Sequence, residues 1–90
     1  MTEQEKARTI IKKHGYEAKF SSFGGIHFYT SAPWQPEIYT EVANERPAAF
    51  QIQTSSYGAL GLQDVRCMIN GLEEAMAMVT ELNEVYGISG

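Results

Sequence analysis

A chain of 90 residues that is 43% hydrophobic and 20% charged has room for one domain and enough apolar material for a core, which excludes a disordered composition. Its single cysteine, Cys67, excludes an intramolecular disulfide framework, and its net charge of −4 disfavours general attraction to phosphate backbones. The first twenty residues are too polar for a signal peptide and no window approaches the ~20 apolar residues of a membrane span, so the expectation is one cytoplasmic domain over residues 1–90.

The first predicted element is a helix over residues 3–14. Thr2 followed by Glu5 matches a capping box, in which hydroxyl and carboxylate satisfy free backbone donors. Ala7, Ile10, Ile11 and His14 fall on one side. Lys12, Lys13 and His14 suit the negative end of the dipole, and Gly15 suits a left-handed stop. This stretch is also the basic part of the chain: residues 1–20 carry Lys6, Arg8, Lys12, Lys13 and Lys19 against three glutamates.

Alternation then takes over. Tyr16, Ala18 and Phe20 share one face of a strand and Glu17 and Lys19 the other. Residues 21–25 hold the paired glycines Gly24 and Gly25 of a hairpin loop. In the next strand, residues 26–30, Ile26 and Phe28 oppose His27 and Tyr29. Pro33 and Pro36 make residues 31–36 a loop. Ile38, Thr40 and Val42 are expected to face inward from the third strand. Residues 43–47 read as a turn, and residues 48–54 as a fourth strand with Phe50 and Ile52 opposing Gln51 and Gln53. Together these predict a four-stranded antiparallel meander with one face toward a core.

A glycine-punctuated connection over residues 55–63 leads to a second helix, starting near Asp64, or at Leu62 if Gly61 caps it. Its expected apolar stripe is Val65, Met68, Leu72, Ala75, Val79, Leu82 and Tyr86, widened on one side by Ile69 and Met76. Met78 and Val85 lie off that stripe. Gly87 is placed to stop the helix. This C-terminal helix is expected to pack across the inner face of the sheet beside the first, giving an α+β fold of order α-β-β-β-β-α. It carries more apolar circumference than one sheet face needs, including Cys67, Met68, Met76, Met78 and Val85, so either the first helix or a second copy of the chain, in a homodimer through this helix, is expected to cover the excess.

No residue pattern calls for catalysis, a metal or a cofactor. Cys67 sits where a helix dipole could lower a thiol pKa, yet no base accompanies it, and a lone cysteine commonly serves as a small buried hydrophobe. His14 is explained by helix capping and His27 by a surface position. Two histidines and one cysteine without spacing do not form a ligand set. Gly58 and Gly61 precede a helix, but no lysine follows them and Asp64 would repel a phosphate.

Two surfaces are candidates for contact. On the outer sheet face, His27, Tyr29, Tyr39, Glu41, Gln51 and Gln53, with Trp34 in the adjoining loop, mix aromatic anchors with polar groups in the manner of protein interfaces. On the second helix, Glu73, Glu74, Glu81 and Glu84 share one flank. The capped helix from Thr2 to His14, the strand-rich middle and the long acidic helix from Asp64 to Tyr86 together resemble small phage and mobile-element proteins of the anti-CRISPR and anti-restriction inhibitor type. That resemblance covers the whole chain through element order and charge, and no functional residue is carried over from it. It implies a non-enzymatic protein-binding module that blocks a host nuclease or defence complex, by steric occlusion or by an acidic surface set against a nucleic-acid groove. Direct nucleic-acid binding through the basic first helix is the alternative, and a small enzyme the least supported.

Overall fold

Thr2 stands in extended conformation ahead of α1 (Glu3–Lys13), where its Oγ1 accepts the Glu5 backbone N–H at 3.1 Å and donates to the Glu5 carboxylate at 3.2 Å. The computed structural model describes residues 1–54 and 58–89. Residues 55–57 of the predicted connection, and Gly90, lie outside the described residues. After α1 come β1 (Glu17–Phe20), β2 (Ile26–Tyr29), β3 (Glu37–Ala43), β4 (Arg46–Gln53) and α2 (Leu62–Tyr86). This is the expected α+β order of two helices bracketing four antiparallel strands.

The strands form two hairpins, each a two-stranded sheet. In the first, Lys19 lies opposite His27 and Glu17 opposite Tyr29; in the second, Tyr39 lies opposite Gln51 and Glu37 opposite Gln53. Between the hairpins, β2 and β3 are neighbours, but no backbone ladder joins them among the described residues. Instead the Thr40 hydroxyl donates to the Ile26 carbonyl at 2.9 Å. The loop ahead of β3 accounts for part of this: Pro36 is buried and has no N–H to offer, and its carbonyl accepts the Tyr16 hydroxyl at 2.7 Å.

The turn of the second hairpin is tighter than the sequence suggests. Asn44 and Glu45 both have positive φ, 55° and 60°, and they alone connect Ala43 to Arg46, the signature of a type I′ turn. The strand β4 therefore starts two residues before its predicted position, with Pro47 opposite Val42. The register shifts between Glu41 and Val42, and Val42 is exposed rather than inward-facing. Tip packs on tip: Gly24 has φ +89°, and a Cβ there would meet the Glu45 carbonyl group at 2.2 Å.

Both helices cover one side of the strands, α1 against β1 and α2 against β4, and they touch each other. The core comprises Ala7, Ile11, Tyr16, Ile26, Ile38, Ala75, Met78 and Leu82. Beside it the rings of Tyr16, Phe28, Phe50 and Tyr86 follow one another at centroid spacings of 6.3, 6.0 and 6.1 Å. These aromatic contacts tie the hairpins together where a ladder does not. Burial pushes the Tyr16 hydroxyl up to about 12, with the nearby Glu74 charge acting in the same direction.

The inward stripe of α2 is Gly71, Ala75, Met78 and Leu82: Ala75 and Leu82 of the predicted stripe hold, Val79 and Tyr86 pack half-buried against the core, and Gly71 and Met78 are added. Met78, expected off the stripe, is fully buried, while Ile69 and Met76 are exposed. Gly71 explains the rotation. A Cβ there would meet the Trp34 carbonyl oxygen at 2.2 Å, so the missing side chain lets the β2–β3 loop lie directly on the helix. At its ends α2 is capped by Gly61, whose N–H donates to Asp64 at 3.3 Å, and by Gly87 in the left-handed region. Arg46 from β4 adds a cation there, donating to the Tyr86 carbonyl and to Glu3, each at 3.1 Å.

Candidate functional site

The outer sheet face is built by strand alternation: every second residue of the four strands turns away from the helices. His27, Tyr29, Tyr39, Glu41, Gln51 and Gln53 all lie there, exposed. His27 and Tyr29 stack at 5.0 Å with an interplanar angle of 7°, and the Lys19 ammonium lies 5.9 Å from the Tyr29 ring centroid. On the second hairpin, Gln51 Nε2 donates to Glu41 Oε1 at 2.9 Å, and the Tyr39 hydroxyl donates to Glu37 Oε2 at 2.6 Å. That bond to Glu37 raises the Tyr39 phenol above its ordinary value, helped by slight desolvation and the carboxylate charge.

Between these two polar clusters opens a cleft of about 720 Å³. Its walls carry Lys19, His27 and Tyr29 from the first hairpin and Glu37 and Tyr39 from the second, and its floor is the seam of Ile26, Ile38 and Thr40. The cleft thus has a cation on one bank, a carboxylate on the other and an apolar base. Among the described residues the backbone edges of β2 and β3 that meet there lack ladder partners, the Ile26 carbonyl being held by Thr40.

Trp34 stands apart from this face. It is half-buried in the loop whose carbonyl rests on Gly71, so it belongs to the helix side of the molecule. Glu37 has the opposite history. It escapes the alternation argument because that argument starts the strand at Ile38, yet it holds Tyr39 in place and lines the cleft. The signal for it is the i, i+2 spacing of Glu37 and Tyr39, which puts both on one side of a strand.

The acidic flank of α2 divides in two. Glu74 Oε1 lies 2.6 Å from His14 Nδ1, and Glu81 bonds both His14 Nε2 and Lys13 Nζ. The cluster therefore pins the end of α1 to the middle of α2, with His14 bridging two carboxylates instead of merely ending its helix. The bonds from Lys13 and His14 hold the Glu81 carboxyl below its ordinary value. Glu73 and Glu84 remain exposed. No short-range sequence signal reports this cluster, whose members lie about sixty residues apart.

Cys67 is half-buried on α2, with Gln63 Nε2 at 3.8 Å from its sulfur. Among the described residues no group of three histidine, cysteine or acidic side chains is arranged to hold a metal ion, and no helix is long and apolar enough to cross a membrane. A second, smaller groove of about 370 Å³ lies between α2 and β4, lined by Ile52, Met76, Val79, Thr80, Asn83 and neighbours. The Asn83 Oδ1 is buried there with no hydrogen-bond partner among the described residues. Comparison of the chain with protein-family models, with curated proteins and with solved structures finds no match.

Proposed function

We propose that this chain is a non-enzymatic protein-binding module that grips a segment of another protein on its outer sheet face. The observation that carries this reading is the cleft between the hairpins, where two exposed tyrosines flank an apolar seam beside strand edges that have no ladder partner among the described residues. An extended segment laid there would set an apolar side chain between Tyr29 and Tyr39 and offer backbone groups to the open edges. Lys19 and Glu37 on opposite banks would then fix its direction by charge.

Steric occlusion is the mode of action we favour, and inhibition of a nuclease or defence complex is the consequence proposed for it. Acidic mimicry has less support, because Glu74 and Glu81 are already bonded to His14 and Lys13. The nucleic-acid alternative is weakened in the same way. Lys13 is paired with Glu81, and Arg8 and Lys19 lie 4.8 and 5.9 Å from the Phe20 and Tyr29 ring centroids, so three of the five basic residues near the N-terminus are occupied.

The test is parallel capture from cell extract with the wild-type protein and a Tyr29→Ala/Tyr39→Ala variant whose circular dichroism is unchanged. A partner held through these anchors should lose roughly 30-fold or more in affinity, the ordinary scale for aromatic hot spots. A partner retained equally by both proteins overturns the assignment of this face. Adding the protein to an activity assay of the captured complex then tests inhibition.

A further inference from the structure

Independently of the sheet face, α2 carries an apolar surface that the fold leaves uncovered. Leu62, Ile69 and Met76 are 68%, 46% and 59% exposed, and they recur every seven residues on one side of one helix. Half-buried Val65, Leu72 and Val79 fall between them at the three-and-four spacing of a helix seam. Single exposed apolar residues are ordinary, but a row of them at this period is a packing surface for another helix.

The arrangement is symmetric about Ile69. Leu62 lies seven residues before it and Met76 seven after it, so an antiparallel copy of the same helix sets Leu62 over Met76 at each end and Ile69 over Ile69 at the centre. The charges agree with that register. Arg66 and Glu73 are exposed on the flank of the seam, and neither has an ion pair among the described residues. They stand three residues before and four after Ile69. A two-fold axis there brings each Arg66 to the partner subunit's Glu73 along one edge of the seam, whereas a parallel pairing in register would put the two copies of that flank on opposite edges, where Arg66 and Glu73 do not meet. The groove lined by Met76, Val79 and Ile52 opens at the end of the row, where Leu62 of the partner subunit arrives.

We infer that α2 is an isologous dimer interface, taking a second copy of this chain in antiparallel orientation with the two-fold axis at Ile69. The seam from Leu62 to Met76 runs about 21 Å at the helical rise. A contact this short lies at the low end of interface sizes; size alone does not fix affinity, and the expectation put to the test is weak association, with a dissociation constant on the order of 10 μM.

Disulfide trapping tests the register directly. In a Cys67→Ser background, Leu62→Cys and Met76→Cys proteins are prepared separately and oxidised by a glutathione buffer. The expected result is a crosslinked dimer when the two are mixed and none from either alone, because identical positions lie about 21 Å apart in the antiparallel pair. Crosslinking of each variant with itself, or none in the mixture, overturns the proposal. Sedimentation gives a second, non-covalent reading. Arg66→Glu should weaken dimerisation by about tenfold and the double variant Arg66→Glu/Glu73→Arg should restore it. A wild-type protein that stays monomeric at about 100 μM, tenfold above the expected dissociation constant, or a double variant no better than the single one, also overturns it.

Discussion

The two halves of α2 are one continuous helix with similar apolar content, yet they live in different surroundings. From Gly71 to Tyr86 it is held on the inside, with Gly71, Ala75, Met78 and Leu82 buried. From Leu62 to Asn70 it has no buried residue at all, although Leu62, Val65, Met68 and Ile69 would serve a core well. Periodicity reports that a helix has an apolar side; it does not report how far along the helix that side is covered. What decides coverage here is a loop and a neighbouring helix. The loop rests its Trp34 carbonyl on Gly71, and α1 is fastened to Glu74 and Glu81 by His14 and Lys13.

The difference is sharpest in the response to truncation. Leu82→Ala should cost about 2–5 kcal/mol, since the side chain is fully enclosed and its removal leaves a cavity among Ile11, Ala75 and their neighbours. Urea unfolding followed by circular dichroism measures it. A loss below about 1 kcal/mol would mean that the packed half of α2 is no better covered than the open half.

Gly71 marks the boundary between the halves, and adding one methyl there tests it. In an exposed helix Gly→Ala gains ~1 kcal/mol. At Gly71 the new Cβ meets backbone at 2.2 Å, which no side-chain rotation relieves, so a net loss of roughly 1–3 kcal/mol is expected. A stabilised Gly71→Ala protein would show that the loop does not sit on the helix.

Acid should release the fastening between the helices. The Glu81 carboxyl is held below its ordinary value of 4.5 by its bonds to Lys13 and His14. A carboxyl lowered in the folded state contributes stability that is complete above its unfolded value and is lost as pH falls through the folded one. Denaturant midpoints measured from pH 6 down to about pH 3, across the ordinary carboxylate range, should therefore decline, and Glu81→Gln should flatten that decline. An identical slope in the variant would detach Glu81 from the acid response.

How much of this was legible in the sequence follows from the range of each interaction. The Thr2 cap, the four strands and the outward set from His27 to Gln53 are written in residues a few places apart, and local geometry suffices to read them. The turn at residues 43–47 is legible, but its two-residue length is not, because Asn44 and Glu45 replace the usual Asn-Gly, placing a glutamate at a positive φ that glycine ordinarily takes. The rotation of α2 was missed because an empty position, Gly71, sets it. The bridge from His14 to Glu74 and Glu81 depends on how the chain's two helices meet, which no window of sequence contains.

The smallest expected effect bears most directly on what the open half of α2 is for. Ile69→Ala removes a methyl-rich side chain, as Leu82→Ala does, but from a site that is 46% exposed. In a dilute monomer the change should stay within about 0.5 kcal/mol, the ordinary range for a surface substitution. If the half is simply solvated, that small value holds at every protein concentration. If a second copy covers it, wild-type stability rises with concentration by mass action, and the variant, lacking the central contact, rises less. Unfolding curves at concentrations spanning roughly 1–100 μM, which bracket the expected dissociation constant, then separate the two halves of the helix by behaviour: the buried half gives a cost independent of concentration, and the open half one that grows with it.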